Sequence, residues 1–184
     1  MLKTQLKKNF DKKDFSSGAS TLKMTLWYFA SVFFIRSGII PSSGLIVLIL
    51  KLFGAKIGKD VRIKPGIYIH YPWRLTIGDH SWLAECRIEN LAQVTIGNNV
   101  CVSQKAMLLT GNHNYKSVDF DLIVQPILLE DGSWVGANAT VCPGVTTKSH
   151  AVLTVGSVAT KNLEPYSIYQ GNPAVKVKDR AIFV

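Results

Sequence analysis

From Ile57 onward an aliphatic side chain recurs at every sixth position. Ile57, Ile63 and Ile69 open the series, and Ile77 and Leu83 continue it after a two-residue slip near Leu75. Ile96, Val102 and Leu108 follow a further one-residue slip. Past an interruption at 111–125 the pattern resumes at Leu129, Val135, Val141, Thr147 and Leu153. A small or compact residue stands four places after each of these, at Ser133, Ala139, Val145, Ala151 and Ser157. An amphipathic helix would repeat near 3.6 and a half-buried strand at 2. A period of six indicates a parallel β-helix, in which each hexad supplies one short strand and a turn, and about three hexads close a triangular coil. The aliphatic position faces the interior, as does the small residue at the corner. Stacked coils then bury a continuous aliphatic column. The glycine after several aliphatic positions (Gly58, Gly78, Gly97, Gly136) is expected to serve turn conformations that are costly for a larger residue.

The first 55 residues follow a different pattern. An apolar run from Leu22 to Phe53 is interrupted by Arg36 and by Pro41-Ser42-Ser43-Gly44. Its pieces fall short of the roughly 20 apolar residues a membrane-spanning helix needs. The run also starts too late, and without the small-residue site, for a secretory signal. Two helices are predicted, one capped near Ser20-Thr21 and one running from Ser43 to a stop at Gly54. They either pack on the main domain or a subunit contact, or lie on a membrane through apolar faces and lysines. The domain reading is therefore a basic, apolar helical segment at 1–55 and a β-helix at 56–184, with a functional loop at 111–125 and a closing segment at 163–184.

Charge sharpens this division. The net charge is +9, and residues 1–60 hold ten Lys or Arg against three Asp, an excess of seven. A basic protein often binds nucleic acid. Here the basic part is also the apolar part, so no nucleic-acid partner is expected. Three widely spaced cysteines, Cys86, Cys101 and Cys142, form no C-x-x-C pair. They read as reduced, small buried residues of a cytoplasmic protein rather than as a disulfide framework or zinc site.

From Ile57 to Arg180 the chain resembles the hexapeptide-repeat acyltransferases, nearest to the colanic-acid-type and maltose or galactoside O-acetyltransferases. The segments that carry the resemblance are YPWRLTIGDHSW (71–82), VTIGNNVCVS (94–103), LLTGNHNY (108–115), SWVGANATVCPGV (133–145), VGSVATKNL (155–163) and YQGNPAVKVK (169–178). The resemblance implies a mainly β protein with a left-handed parallel β-helix, assembled as a homotrimer with active sites between subunits. It also implies transfer of an acetyl group from acetyl-CoA to a hydroxyl, with no metal.

The interruption carries the candidate chemistry, since a loop inserted into a solenoid gives up stacked hydrogen bonds. Acetyl transfer to a hydroxyl needs a base, and histidine titrates near operating pH. The TG-x-H context matches the family's base to His113; His70, His80 and His150 lack it and read as structural or exposed. Glu85, in SWLAE, falls near the position where galactoside-type relatives keep an active-site Asn, and is expected to orient or charge His113. Asn112, Tyr115, Asp119 and Phe120 are candidates for acceptor binding. The aromatic rings of Tyr71, Trp73, Trp82, Tyr115 and Phe120 are surfaces on which sugars stack.

For the donor, the resemblance puts Trp134 near the thiol end of the pantetheine and the Ala137 amide at the thioester carbonyl. Val155 and Thr160 match further contacts, and Lys161 and Lys178 match positions near the nucleotide phosphates. Gly171-Asn172-Pro173 would close the last coil. The acceptor expected is a sugar hydroxyl of an exopolysaccharide, capsule or other surface-glycan precursor, carried as sugar or glycolipid. The basic N-terminus then suits the cytoplasmic face of the cell membrane. Competing readings are a free sugar, amino sugar or serine as acceptor, a zinc-dependent γ-class carbonic anhydrase on the same fold, and a non-catalytic β-helix scaffold. The histidine spacing does not match the anhydrase signature.

Overall fold

The computed structural model describes residues 3–6 and 15–183. Part of the basic cluster named above (Lys7, Lys8, Lys12, Lys13, with Asp11 and Asp14) lies outside the described residues. The chain opens with α1 (Thr21–Ala30), which runs on without a break into a π-helical segment, Ser31–Arg36; α2 (Ser43–Leu52) follows. Both helices start as local chemistry requires. Ser20 Oγ accepts from the Lys23 amide at 3.3 Å, and Ser42 Oγ accepts from the Leu45 amide at 3.4 Å. At the far end Gly54 takes up φ +102°, a left-handed conformation that favours glycine.

Five coils follow. The first holds β1 (Lys56–Ile57), β2 (Arg62–Ile63) and β3 (Tyr68–Ile69), and the second β4 (Leu75–Ile77), β5 (Trp82–Leu83) and β6 (Arg87–Glu89). The third holds β7 (Val94–Ile96), β8 (Cys101–Val102) and β9 (Met107–Leu109). A hairpin, β10 (Gly111–His113) and β11 (Leu122–Val124), then leaves the stack. The fourth coil is β12 (Ile127–Leu129), β13 (Trp134–Val135) and β14 (Thr140–Val141). The fifth is β15 (Thr146–Thr147), β16 (Val152–Leu153) and β17 (Val158–Ala159). A partial sixth turn ends in β18 (Ser167–Gly171), against which β19 (Ala174–Asp179) folds back antiparallel across the cis Asn172–Pro173 bond.

Parallel pairing between coils makes three flat faces. Face A is β1-β4-β7-β12-β15, face B is β2-β5-β8-β13-β16-β18, and face C is β3-β6-β9-β14-β17. The register aligns the hexad positions: Ile57, Ile77, Ile96, Leu129 and Thr147 stack on face A, and Ile63, Leu83, Val102, Val135 and Leu153 on face B. The residues four places on (Ser133, Ala139, Val145, Ala151, Ser157) are all buried at corners. The one-residue slip between Leu83 and Ile96 resolves into two events. The step from Leu83 to Ile88 is one residue short, and the step from Ile88 to Ile96 is two residues long.

The glycines require a correction. Gly58, Gly78 and Gly97 are not at positive φ; the left-handed residues lie two places later, at Asp60, His80 and Asn99. These glycines leave room for the next coil. Asp79 Oδ1 accepts from the Lys59 amide, Asn98 Oδ1 from the Asp79 amide, and Asp131 Oδ1 from the Asn98 amide, at 2.7–2.8 Å. A Cβ on Gly58, Gly78 or Gly97 would lie 2.2–2.6 Å from one of those three oxygens.

The helices plug the open end of the prism. Trp27, Ile35, Ile46 and Leu50 are buried in the same core as the coil interior. Trp27 Nε1 donates to the His70 carbonyl at 2.9 Å, and the Ile35 carbonyl accepts from the Gly66 amide at 2.9 Å. Ser43 Oγ accepts from the Ile63 amide at 2.8 Å. The opposite surface of the same helices leaves Leu22, Leu26, Phe29, Phe33, Phe34, Leu48 and Leu52 exposed. Among the described residues no helix is long and apolar enough to cross a membrane.

Candidate active site

The β10–β11 hairpin leaves from the corner between faces C and A. Its root is tied down by the coil below: Thr110 Oγ1 donates to the Glu89 carbonyl at 2.8 Å and accepts from the Ala92 amide at 3.0 Å. That lower corner is in turn held to the first coil by Asn90, which accepts from the Tyr71 amide at 2.9 Å and donates to the carbonyls of Tyr71 and Arg74. One corner therefore carries three stacked levels, with the hairpin on the third.

His113 closes β10, paired with Leu122 across the hairpin. Its Nδ1 lies 2.9 Å from the Phe120 carbonyl, and its ring stacks on the Phe120 ring at 4.5 Å and 10°. A carbonyl oxygen only accepts, so Nδ1 carries a proton, and in the neutral ring the lone pair sits on Nε2. Phe120 is thereby an orienting residue for the imidazole, held at φ +51° so that carbonyl and ring both meet His113. Sequence reasoning placed it on the acceptor; its backbone carbonyl carries no signature in sequence. Asn112 Oδ1 accepts from the His113 amide at 2.8 Å, while Tyr115 is 75% exposed and Asp119 is exposed as well.

The remaining candidates separate into two groups on one protomer. Trp134 lies on the outside of face B, half exposed, its Nε1 donating to Ser103 Oγ at 2.9 Å. Ala137 and Val155 follow at the corner between faces B and C in successive coils. The Ala137 carbonyl accepts from the Gly156 amide at 2.9 Å, and its own N–H makes no hydrogen bond among the described residues. Glu85 is exposed at this same corner, its side chain against Gly66. Thr160 and Lys161 instead follow β17, at the corner shared with the His113 hairpin, and Lys178 projects from β19; all three are exposed. Glu85 and His113 thus occupy opposite edges of face C.

A cluster that sequence reasoning passed over lies on that face. His70 Nδ1 is 2.9 Å from Tyr68 Oη and 3.3 Å from Glu89 Oε2, and Arg87 pairs with Glu89. The hydrogen bond from His70, helped by Arg87 and opposed by burial, holds the Glu89 carboxyl below the usual carboxylate range. His70 and Glu89 are neighbours only in the stacked register, 19 positions apart in sequence, which is why no local motif signals them. His80 and His150 occupy left-handed corner positions, at φ +57° and +59°. No group of three or more His, Cys, Asp or Glu side chains able to hold a metal ion occurs among the described residues.

A hexad prism with one hairpin delivering an oriented imidazole defines a class, and the comparisons bear on it directly: the chain belongs to the hexapeptide-repeat acetyltransferases. It is 34% identical to the protein named for colanic acid biosynthesis acetyltransferase, WcaF, of Escherichia coli (strain K12), over 89% of this chain and 90% of that one. Galactoside O-acetyltransferase of the same organism is 27% identical over 72% of this chain and 66% of its own length. Among solved structures, the fold is that of a hexapeptide-repeat acetyltransferase of Vibrio cholerae complexed with acetyl coenzyme A. The TM-score is 0.82 at 18% identity, covering 93% of this chain and 95% of that one. A galactoside acetyltransferase in complex with coenzyme A superposes with a TM-score of 0.76 at 21% identity, covering 90% and 85%. No family model matches the chain.

Proposed function

We propose that the protein transfers an acetyl group from acetyl-CoA to a sugar hydroxyl of a surface-glycan precursor, with His113 as general base. The observation that carries this reading is the Nδ1 contact to the Phe120 carbonyl, which leaves Nε2 free to take a proton. In this mechanism Nε2 withdraws the acceptor's hydroxyl proton as its oxygen attacks the thioester carbonyl. The free Ala137 amide stabilises the resulting oxyanion, a contribution of roughly 3 kcal/mol for one such donor. Collapse breaks the carbon–sulfur bond, and the imidazolium returns its proton to the departing thiolate. No acyl-enzyme is required, so none of the cysteines need act.

The residues fit the donor. Trp134 offers a half-exposed ring on face B, and Lys161 and Lys178 are exposed cations for phosphate. The two edges of face C support a homotrimer: one protomer's His113 edge set against a neighbour's Trp134–Ala137 edge would complete the site, and would bring Glu85 toward His113. Val155 and Thr160 would then line the pantetheine from the two sides. Relatives named for colanic acid biosynthesis and for galactosides support a sugar acceptor. The exposed apolar surface of α1, the π segment and α2, with the exposed Lys51 on α2, supports peripheral contact with the cytoplasmic face of an anionic membrane.

The test is acetyl-CoA thiol release across a panel of sugars and glycolipids. His113→Ala should lose about 10²–10⁴-fold in turnover, and undiminished turnover would remove the base. Glu85→Gln with unchanged turnover would remove Glu85 from the mechanism. Flotation with anionic vesicles tests the membrane contact, which fails if Phe33→Glu/Phe34→Glu floats like the parent.

A further inference from the structure

Between the helical plug and the first coil lies a cleft of about 180 Å³. Trp27, Ser31 and Arg36 line it on the helix side, and Tyr68, His70 and Tyr71 on the coil side. Two guanidinium groups flank the Tyr68 ring, Arg36 at 5.1 Å and Arg87 at 4.2 Å from its centroid. Arg87 is neutralised by Glu89. Arg36 has no acidic partner among the described residues, and it ends the helical stretch that exposes Phe33 and Phe34. A cation with free donors thus stands where an apolar surface meets a cleft walled by aromatic rings. Guanidinium groups favour phosphate, and ring faces favour sugars.

The position along the prism adds a second constraint. Tyr71 belongs to the first level of the corner whose third level bears the His113 hairpin. Coils stack about 4.8 Å apart, so cleft and hairpin root are separated by roughly 10 Å. We infer that this cleft binds the phosphate and adjoining sugar of a lipid-anchored glycan, with Arg36 on the phosphate. The hydroxyl presented to His113 then belongs to a sugar further along the chain. This rests on the acetyl-transfer reading for its purpose, but it is tested by binding alone, so the two can fail separately.

The experiment is titration calorimetry of the full-length protein in detergent micelles with farnesyl phosphate, farnesol and glucose 1-phosphate. Farnesyl phosphate should bind at least about tenfold more tightly than either of the others, the scale of one charge-assisted contact. Arg36→Gln should erase the preference over farnesol, and Arg36→Lys should keep part of it. Equal affinity for farnesyl phosphate and farnesol, or a preference that survives Arg36→Gln in a variant with unchanged circular dichroism, would overturn the assignment. Glucose 1-phosphate binding as tightly as farnesyl phosphate would overturn the lipid-anchored part.

Discussion

A methyl group added to Gly97 would sit 2.3 Å from Asp131 Oδ1 and 2.9 Å from the Asp131 amide, in a corner already closed by hydrogen bonds. Gly97→Ala should therefore destabilise the protein by about 1–3 kcal/mol through overpacking, measured by chemical denaturation. A second outcome at this scale concerns thiols. Burial pushes the Cys86 thiol up to about 12; Cys101 and Cys142 are only half-buried, not fully enclosed as the sequence reading expects, and burial raises them too. At pH 8 an alkylating reagent followed by mass spectrometry should leave Cys86 unmodified in the native protein and modify it on unfolding. The hexad positions were readable because each occupies the same local environment, coil after coil. The reason for the glycines was not, since the crowding atom at Gly97 lies 34 residues away, on Asp131.

At the scale of elements, the plug and the corner cluster carry the energetics that can be tested. Trp27 is buried, packs against Phe53 at 5.2 Å and donates to the His70 carbonyl. Trp27→Ala should cost about 3–5 kcal/mol and lower the melting temperature. Glu89 titrates below its ordinary value of about 4.3 because His70, first, and Arg87 hold it charged. A depressed carboxyl adds stability above its unfolded value, and that stability is lost as pH falls through the lower folded value. Melting temperature should therefore drop more steeply in the parent than in Glu89→Gln once the pH goes below about 4.3. The first helix start was legible from its capping Ser20 and the second as a run beginning at Ser43, while the lift-off of the hairpin was legible from the break in period. The plug's partners were not, because Trp27, Ile46 and Leu50 meet coil residues only after the prism exists. The slip near Glu85 likewise hid a short step and a long one behind their sum.

For the whole molecule, the candidate residues lie apart, His113 at one edge of face C and Trp134 on face B with Ala137 at the other edge, and that division limits what a single sequence can reveal. The motif matches single out His113, Trp134 and Ala137 one by one, but nothing in the order of residues states which surfaces would meet. Sedimentation should find three chains per particle. Variants of the two groups, His113→Ala and Trp134→Ala, should regain part of their activity when mixed and reassembled, because some interfaces would then pair an intact His113 with an intact Trp134. A stable, active monomer would remove the shared-site arrangement.

A column of stacked coils would end, top and bottom, in strands with open hydrogen-bonding edges, a standing template for growth by added chains. Here α1, the π segment and α2 cover one terminus of the column, and β19, bearing Lys176, Lys178 and Asp179, turns back along the other. The stack is thereby finite by construction. Chains stripped of the helical plug should pair through the uncovered first coil, read as a doubling of particle mass by light scattering, with β19 still blocking growth at the other end, whereas the capped protein does not associate this way.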